Sequence, residues 1–231
     1  MISVIITTKN EGKYLEKCLQ AIKNQTYRNF EIIVSDSCST DNTVKIAKKY
    51  GARVIVQKSN ISKGRNLGAK IARGDILAFV DADTLIHKNW LKKIVNHFKD
   101  DRVVGVMASV SCDCKNIKEK IFNLSFCVWQ RLSYFFGLPI NGVCSIGFSI
   151  RKDIFKKLKG FREDMDVAED TDLEFKAKKF GKVIVEDKIK NRWSIRRFEK
   201  GGYLLWIRNW LKIYWAYFHK RPQTTHYPMY R

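Results

Sequence analysis

The chain has 231 residues, of which 45% are hydrophobic and 29% charged, and it contains no low-complexity tract and no internal repeat. These values exclude a disordered chain and predict one large globular domain with a sizeable core. A net charge of +21, from 44 Lys and Arg against 23 Asp and Glu, favours anionic partners: nucleic acid, an anionic membrane surface or phosphorylated substrates.

Predicted strands and helices alternate through the first half of the chain. The strands are at residues 3–8, 30–35, 53–56 and 76–80. Asn10 is the expected N-cap of the first helix, Ser39 or Thr40 caps a second helix that stops at Gly51, and the third helix covers residues 63–72. The apolar face of the first helix is formed by Leu15, Cys18, Leu19 and Ile22. This alternation predicts an α/β fold with a parallel sheet and right-handed crossovers.

The second half is less regular. A helix around residues 90–98 is followed by a strand at 103–110, a helix with a broad apolar face at 117–138 and a strand at 142–150. A helix at 169–180, closed by Gly181, and a short strand at 182–185 complete the pattern. Residues 188–231 combine eleven Lys and Arg with eleven aromatic residues and a single Glu, and predict an amphipathic aromatic and basic helix.

The cysteines bear on the cellular compartment. None of the six lies in a Cys-x-x-Cys pair or at zinc-ligand spacing from a His, so we expect buried, reduced thiols and a cytoplasmic protein. The N-terminus lacks the pattern of a signal peptide, and no run of about 18 apolar residues predicts a spanning helix.

Polar or acidic residues follow three of the predicted strands, at Thr8, at Asp36 and at Asp81 with Asp83. The carboxyl ends of parallel strands meet at one sheet edge, so these groups predict a nucleotide site, with a divalent cation on Asp81 and Asp83. The alternative for Asp36 is a turn carboxylate that accepts from local N–H groups, and the alternative for Asp81 and Asp83 is a solvated acidic turn.

Two further segments carry candidate groups. Lys63 and Arg65 near a helix N-terminus could meet phosphate oxygens, or they could be solvated surface charges. Glu169 and Asp170 open a predicted helix, where they could stabilise its first turn or supply a general base. Neither a P-loop nor a Gly-x-Gly-x-x-Gly sequence after the first strand is present, which argues against a dinucleotide cofactor.

Over residues 2–185 the ordered motifs resemble those of family 2 glycosyltransferases. The motifs are Ser3-Val-Ile-Ile-Thr-Thr-Lys-Asn-Glu11, Glu31-Ile-Ile-Val-Ser-Asp-Ser-Cys-Ser-Thr-Asp-Asn-Thr43, Lys63-Gly-Arg-Asn-Leu-Gly-Ala69, Asp81-Ala-Asp83, Gly147-Phe-Ser-Ile-Arg-Lys-Asp-Ile-Phe155, Gly160-Phe161 and Glu169-Asp-Thr-Asp-Leu173. The resemblance implies a GT-A fold with a mostly parallel central sheet flanked by helices, a nucleotide-sugar donor such as a UDP- or GDP-sugar, Mg²⁺ or Mn²⁺, and inversion at the anomeric carbon.

The resemblance also implies roles for individual residues. Asp83 would be the principal metal ligand with Asp81 beside it, and Asp170, next to Glu169, would be the general base. The nucleotide-sugar pocket would contain Thr7, Thr8, Asn10, Glu11, Asp36, Lys63, Arg65, Asp81, Ala82 and Asp83. Residues 1–187 would form the catalytic domain, with a nucleotide-sugar-binding half at 1–110 and an acceptor half at 111–187, followed by an extension at 188–231.

The chain departs from the family pattern in two places. Asp36-Ser37-Cys38 stands where many members have Asp-Asp-Gly, and the Gln-x-x-Arg-Trp motif of processive synthases is missing, so we expect single sugar additions. Two rival hypotheses are a nucleotidyltransferase of related architecture and a basic nucleic-acid-binding protein. Nucleotidyltransferases usually have a Gly-rich basic loop after the first strand, and residues Thr7–Gly12 of this chain do not form one. Nucleic-acid binding does not explain the carboxylates at strand ends, so no nucleic-acid partner is expected.

The basic and aromatic extension has two interpretations. It could pack on the domain, or it could lie at an anionic membrane surface with its aromatic residues at the headgroups. We expect a lipid-linked or glycan acceptor and a peripheral position on the cytosolic face of the cell membrane, because lipid-linked acceptors are common in the family that the chain resembles.

Overall fold

The computed structural model describes residues 1–112, 147–165 and 169–194, with isolated positions between 117 and 132 and Arg208. The strands are β1 (Ile2–Thr8), β2 (Phe30–Asp36), β3 (Arg53–Val56), β4 (Ile76–Asp81), β5 (Val103–Cys112), β6 (Phe148–Arg151) and β7 (Lys182–Trp193). The helices are α1 (Gly12–Lys23), α2 (Thr43–Lys49), α3 (Ile61–Ile71), α4 (Trp90–His97), α5 (Lys152–Lys157) and α6 (Glu169–Ala177).

The strands form one sheet in the order β3-β2-β1-β4-β6-β5-β7. Neighbouring strands are parallel except at β6, which runs antiparallel to both β4 and β5. The other six strands therefore point the same way, and their carboxyl ends share one edge of the sheet. The mostly parallel α/β sheet that the sequence predicts is confirmed, whereas the reversed direction of β6 was not anticipated.

Helices cover both faces of the sheet and form an apolar cluster with each face. Successive residues of β1 contribute to the two clusters in alternation, because side chains along a strand point to opposite faces. Val4 and Ile6 belong to the cluster that α1, α2 and α4 complete, and Ile5 belongs to the cluster that contains residues of α3, α5 and α6. The predicted apolar face of α1 is fully buried in the first cluster. Burial of each large aliphatic side chain there stabilises the fold by roughly 1.5–3 kcal/mol.

Several helix starts differ from the sequence prediction. Asn10 is not an N-cap: α1 begins after Glu11, and Asn10 has a positive φ of 55°. The expected cap by Ser39 or Thr40 is also wrong, because α2 begins at Thr43 after Asn42. α3 begins two residues early because the Asn60 side chain accepts the Lys63 N–H at 2.8 Å. Tertiary hydrogen bonds, described below, use the polar groups that the sequence assigned to capping.

The last strand is much longer than expected. β7 continues beyond Val185 to Trp193 because, after an irregularity at Ala108/Ser109, its second half pairs with the end of β5. The division drawn at residue 187 therefore falls inside a strand. The helix at 117–138 and the tail beyond residue 194 lie largely outside the described residues, as do residues 142–146 of a predicted strand that starts here at Phe148.

Cys18 is buried, as expected, but Cys38 is an exposed free thiol at a position with φ 54°. In the part of the chain that the structure describes, none of the helices has both the length and the hydropathy needed to span a bilayer.

Candidate functional site

Thr8 and Asp36, which end neighbouring strands, are in contact. The Asp36 carboxylate is fully buried and accepts hydrogen bonds from the Thr8 hydroxyl (2.7 Å), the Ser39 hydroxyl (2.6 Å) and the Ser39 N–H (2.7 Å). The sequence thus correctly places the two residues together. The bonds to Ser39 are those of the turn-carboxylate alternative, and they fix the loop after β2 against the end of β1.

The loops that follow β1 and β2 are joined by a second set of hydrogen bonds. Asn10 donates its N–H to the Ser39 hydroxyl at 2.7 Å and accepts the Thr40 N–H on its side-chain oxygen at 2.9 Å. The Asp41 carboxylate accepts the Gly12 N–H at 3.0 Å. Partial burial tends to raise the pKa of Asp41, but hydrogen bonds from Thr43 and Gly12 outweigh it and leave the pKa below its ordinary value.

Asp81, Ala82 and Asp83 form a turn directly after β4. The Thr84 N–H donates to the Asp81 carbonyl at 3.1 Å, Ala82 is buried, and the two Asp residues are half-buried. Below the turn, the Cys18 Sγ lies 3.6 Å from the Asp81 carbonyl oxygen. Burial first, and then the charges of Asp83 and Asp81, raise the pKa of the Cys18 thiol, which therefore stays protonated.

Arg65 is a buried cation that links the turn after β4 to the start of α6. Its side chain is 3% exposed, with Nη1 at 2.5 Å from Glu169 Oε1 and Nη2 at 3.1 Å from Asp81 Oδ1. The guanidinium also lies over the ring of Phe161, 5.3 Å from its centroid. The sequence assigned Arg65 to donor phosphates; the structure places it between two carboxylates, and contact with a nucleotide stays a prediction.

Glu169 and Asp170 are both buried in the first turn of α6, where the Thr171 N–H donates to Asp170 Oδ1 at 2.7 Å. Burial first, and then the charges of Asp170 and Asp81, raise the pKa of Glu169 to about 7 against the opposing attraction of Arg65. The acidic pair is thus in electrostatic contact with the β4 turn through one shared guanidinium.

Side chains on α3 and at its N-cap hold the backbone before α6, a role that the sequence did not predict. Asn66 accepts the Phe161 N–H and donates to the Phe161 carbonyl, both at 2.9 Å. Ser62 donates to the Met165 carbonyl at 2.7 Å, and Asn60 donates to another carbonyl of this segment. Asn66 lies in a quoted motif, but nothing in the sequence indicates a partner 95 residues away.

A second missed contact involves the unexpected end of β7. The fully buried Asn191 accepts the His87 N–H at 3.0 Å, and Arg192 exchanges two backbone hydrogen bonds with Leu85, at 2.8 and 2.9 Å. Together they hold the segment that follows Asp83. The sequence offered no signal for this role, because the strand was expected to end at Val185.

Asp81 and Asp83 are the candidate donors for a metal ion. Within the described residues there is no group of three or more His, Cys, Asp or Glu side chains that could hold one. Asp81 and Asp83 offer two hard oxygen donors at a sheet edge, which suits an ion such as Mg²⁺ that takes its remaining ligands from phosphate and water. The Lys63 side chain is half-buried at the start of α3, and its contact with phosphate stays a prediction.

Comparison with known proteins gave a match to the family described as "Glycosyl transferase family 2" over residues 3–159. Glycosyltransferase GlyG of Streptococcus pneumoniae is 30% identical over 138 residues, covering 55% of this chain and 46% of the relative. Poly(ribitol-phosphate) beta-N-acetylglucosaminyltransferase TarS of Staphylococcus aureus is 36% identical over 99 residues, covering 39% and 17%. The chain thus spans less than half the length of these curated relatives.

Two solved structures share the fold. TarS residues 1–349 of S. aureus, also solved with UDP and with UDP-GlcNAc, superpose with a TM-score of 0.66 at 23% identity, covering 90% of this chain and 65% of theirs. The mannosyltransferase PcManGT of Pyrobaculum calidifontis, solved with GDP-Man and Mn²⁺, gives a TM-score of 0.69 at 21% identity, covering 98% and 65%. The GT-A fold expected from the sequence is confirmed.

Proposed function

The chain belongs to glycosyl transferase family 2, and we propose that it transfers a sugar from a nucleotide-sugar donor to an acceptor hydroxyl with inversion at the anomeric carbon. The observation that carries this proposal is the convergence of two acidic motifs on one buried cation. Arg65 contacts Asp81 after β4 and Glu169 at the start of α6, although 104 residues separate Arg65 from Glu169.

The donor pocket lies at the carboxyl ends of β1, β2 and β4. The joined loops around Thr8 and Asp36 form a rigid wall for the nucleoside, with Thr7, Asn10 and Glu11 beside it. UDP or GDP is the expected nucleotide. In support, the fold is shared with TarS, solved with UDP-GlcNAc, and with PcManGT, solved with GDP-Man.

Asp83 is the proposed principal ligand of a divalent cation, Mg²⁺ or Mn²⁺, and Asp81 is shared between this cation and Arg65. The half-buried position of both carboxylates and the hydrogen-bonded turn support this assignment, because the turn fixes two oxygen donors beside the pocket. When bound, such an ion would neutralise charge on the leaving diphosphate.

Asp170 is the proposed general base. Its carboxylate takes the proton from the acceptor hydroxyl as that oxygen bonds to the anomeric carbon and the bond to the diphosphate breaks. Glu169 contributes by holding Arg65, which adds positive charge next to Asp170. Because Arg65 also binds Asp81, the donor end and the base end of the site are held at a fixed separation.

The proposed acceptor is a lipid-linked or glycan molecule that receives one sugar at a time. The absence of a Gln-x-x-Arg-Trp motif supports single addition, and the basic, aromatic composition of residues 188–231 supports a peripheral position on the cytosolic face of the cell membrane.

The general-base assignment is tested with Asp170→Asn, which keeps the size of the side chain but cannot accept the proton. We expect unchanged donor binding and a turnover lowered by at least about a hundredfold. A thermal-shift screen against UDP-, GDP- and dTDP-sugars with Mn²⁺ identifies the donor, and release of its nucleotide diphosphate during transfer measures turnover.

Asp172→Asn is the matched control, since Asp172 lies in the same helical turn and pairs with Lys176 at 2.6 Å. It should retain most of the turnover. Near-normal turnover in Asp170→Asn would remove this residue from the base role.

A further inference from the structure

Five large apolar side chains are exposed along one stretch of the chain. They are Ile117, Ile121, Leu124, Val128 and Leu132, with exposed fractions of 67%, 62%, 65%, 49% and 46%. The described residues between 117 and 132 are helical, and successive members of the set are four, three, four and four residues apart. This spacing places all five on one face of a helix, and we call them the apolar stripe.

The sequence around the apolar stripe is predominantly basic. Residues 115–132 contain four basic residues and a single acidic one, Glu119, which is buried with 3% of its surface exposed. Lys120 is exposed and, three residues after Ile117 and four before Leu124, lies at the border of the stripe. An exposed apolar face bordered by basic residues is the composition of helices that lie in the headgroup region of anionic bilayers.

The sheet topology relates the apolar stripe to the catalytic edge. β6 is antiparallel to both β4 and β5, so β5 runs parallel to β4 and ends at the edge where Asp81 and Asp83 lie. In the sequence, four residues separate the end of β5 from Ile117, the first member of the stripe. β7 also ends at this edge, where Arg192 pairs with Leu85 just after the acidic turn, and the basic, aromatic tail follows it.

We propose that the apolar stripe is a lipid-binding surface that seats the protein on an anionic membrane with the catalytic edge of the sheet towards the bilayer. Charge complementarity favours this occupant over a second copy of the chain, because stripe-to-stripe pairing would bring together the exposed Lys120 of two proteins that each carry a charge of +21. The proposal adds to the function above a named surface and a lipid class, and it does not depend on the identity of the sugar donor.

The experiment is flotation of the full chain with vesicles of phosphatidylcholine alone or mixed with phosphatidylglycerol. The test variant Ile121→Glu with Leu124→Glu places two carboxylates in the stripe. The matched control Phe175→Glu with Phe180→Glu places them at two exposed apolar positions outside the stripe, in α6 and just before β7. We expect wild type and control to float with the anionic vesicles, and the stripe variant to partition at least tenfold less.

Equal flotation of the stripe variant and the wild type, or no flotation of the wild type, would overturn the proposal. So would sedimentation velocity showing that the stripe variant only dissociates a dimer. Nucleotide titration of the same preparations tests donor binding separately, so failure of the lipid surface and failure of the proposed function are distinguishable.

A second measurement applies if the stripe variant does not fold. Leu124→Cys carries an environment-sensitive fluorophore in a background in which every native cysteine except the buried Cys18 is changed to Ser, and Phe180→Cys in the same background is its control. Emission from position 124 should shift to the blue on addition of anionic vesicles, while emission from position 180 stays constant. No shift at position 124 would contradict the proposal.

Discussion

Glu169 combines a buried carboxyl group with a buried ion pair. Its side chain contacts Arg65, yet burial, together with the charges of Asp170 and Asp81, raises its pKa to about 7. A pair between exposed residues, such as Arg102 with Asp100, behaves in the opposite way: the Arg102 hydrogen bonds lower the pKa of Asp100 to about 2. Burial, more than the presence of an arginine, decides the direction of the shift.

This environment predicts a pH-dependent stability. The Glu169 carboxyl titrates near its ordinary value of 4.5 in the unfolded chain and near 7 in the folded one, so between these values the folded protein binds more protons. The stabilisation is complete below about pH 4.5 and is lost as the pH rises through about 7, a change on the order of 3 kcal/mol.

Glu169→Gln removes the titration and keeps the shape of the side chain. Urea unfolding of both proteins between pH 5 and pH 8 should show the free energy of unfolding of the wild type falling, relative to the variant, as the pH rises. A difference that is the same at every pH would show that Glu169 does not titrate in this range.

At the scale of elements, α3 connects the two halves of the site. Its side chains hold the Phe161–Met165 backbone, and Arg65 reaches both β4 and α6. Ser62, Arg65 and Asn66 make these contacts, and their spacing places them on one face of α3. The helix therefore positions the acidic pair as well as covering the sheet.

Arg65→Met tests this connection. Loss of the guanidinium leaves the buried Glu169 carboxyl without its cation, and removal of one partner of a buried pair typically costs about 3–5 kcal/mol. Because Asp81 is partly exposed, we expect the lower end of this range. Chemical denaturation measures the loss, with Arg102→Met as the control for an exposed ion pair. Equal stabilities of the two variants would contradict a structural role for Arg65.

Local patterns predicted the sheet and its buried helix faces well. Apolar runs identified β1 to β4, and the spacing of Leu15, Cys18, Leu19 and Ile22 identified the inner face of α1, because these signals lie within one element. The starts of α1 and α2 were misplaced, since Asn10, Ser39 and Thr40 bond to one another across two loops. Such pairings are between segments about 30 residues apart, and no local rule contains them.

The candidate site was also predicted in part. Sequence order brought the acidic turn after β4 and the acidic pair of α6 into one site, but it gave Arg65 a phosphate as its partner instead of two carboxylates. The contacts of Asn66 and Asn191 went unnoticed, because each joins backbone groups about a hundred residues away that only the folded sheet brings near.

For the whole molecule, six strands have their carboxyl ends at one edge of the sheet, and Asp36, Asp81 and Asp83 lie there in an otherwise basic protein. The net charge of +21 attracts anionic donors and lipids to the protein. The carboxylates at this edge would nevertheless repel a diphosphate unless they held a cation. We therefore propose that Asp83 and a divalent cation together allow the nucleotide to bind.

Calorimetric titration of the protein with UDP and with GDP, in the presence and absence of Mn²⁺, tests this claim most directly. We expect that one of the two nucleotides binds the wild type at least tenfold more tightly with Mn²⁺, and that Asp83→Ala binds it equally weakly under both conditions. The same metal dependence in wild type and Asp83→Ala would contradict the assignment of the site.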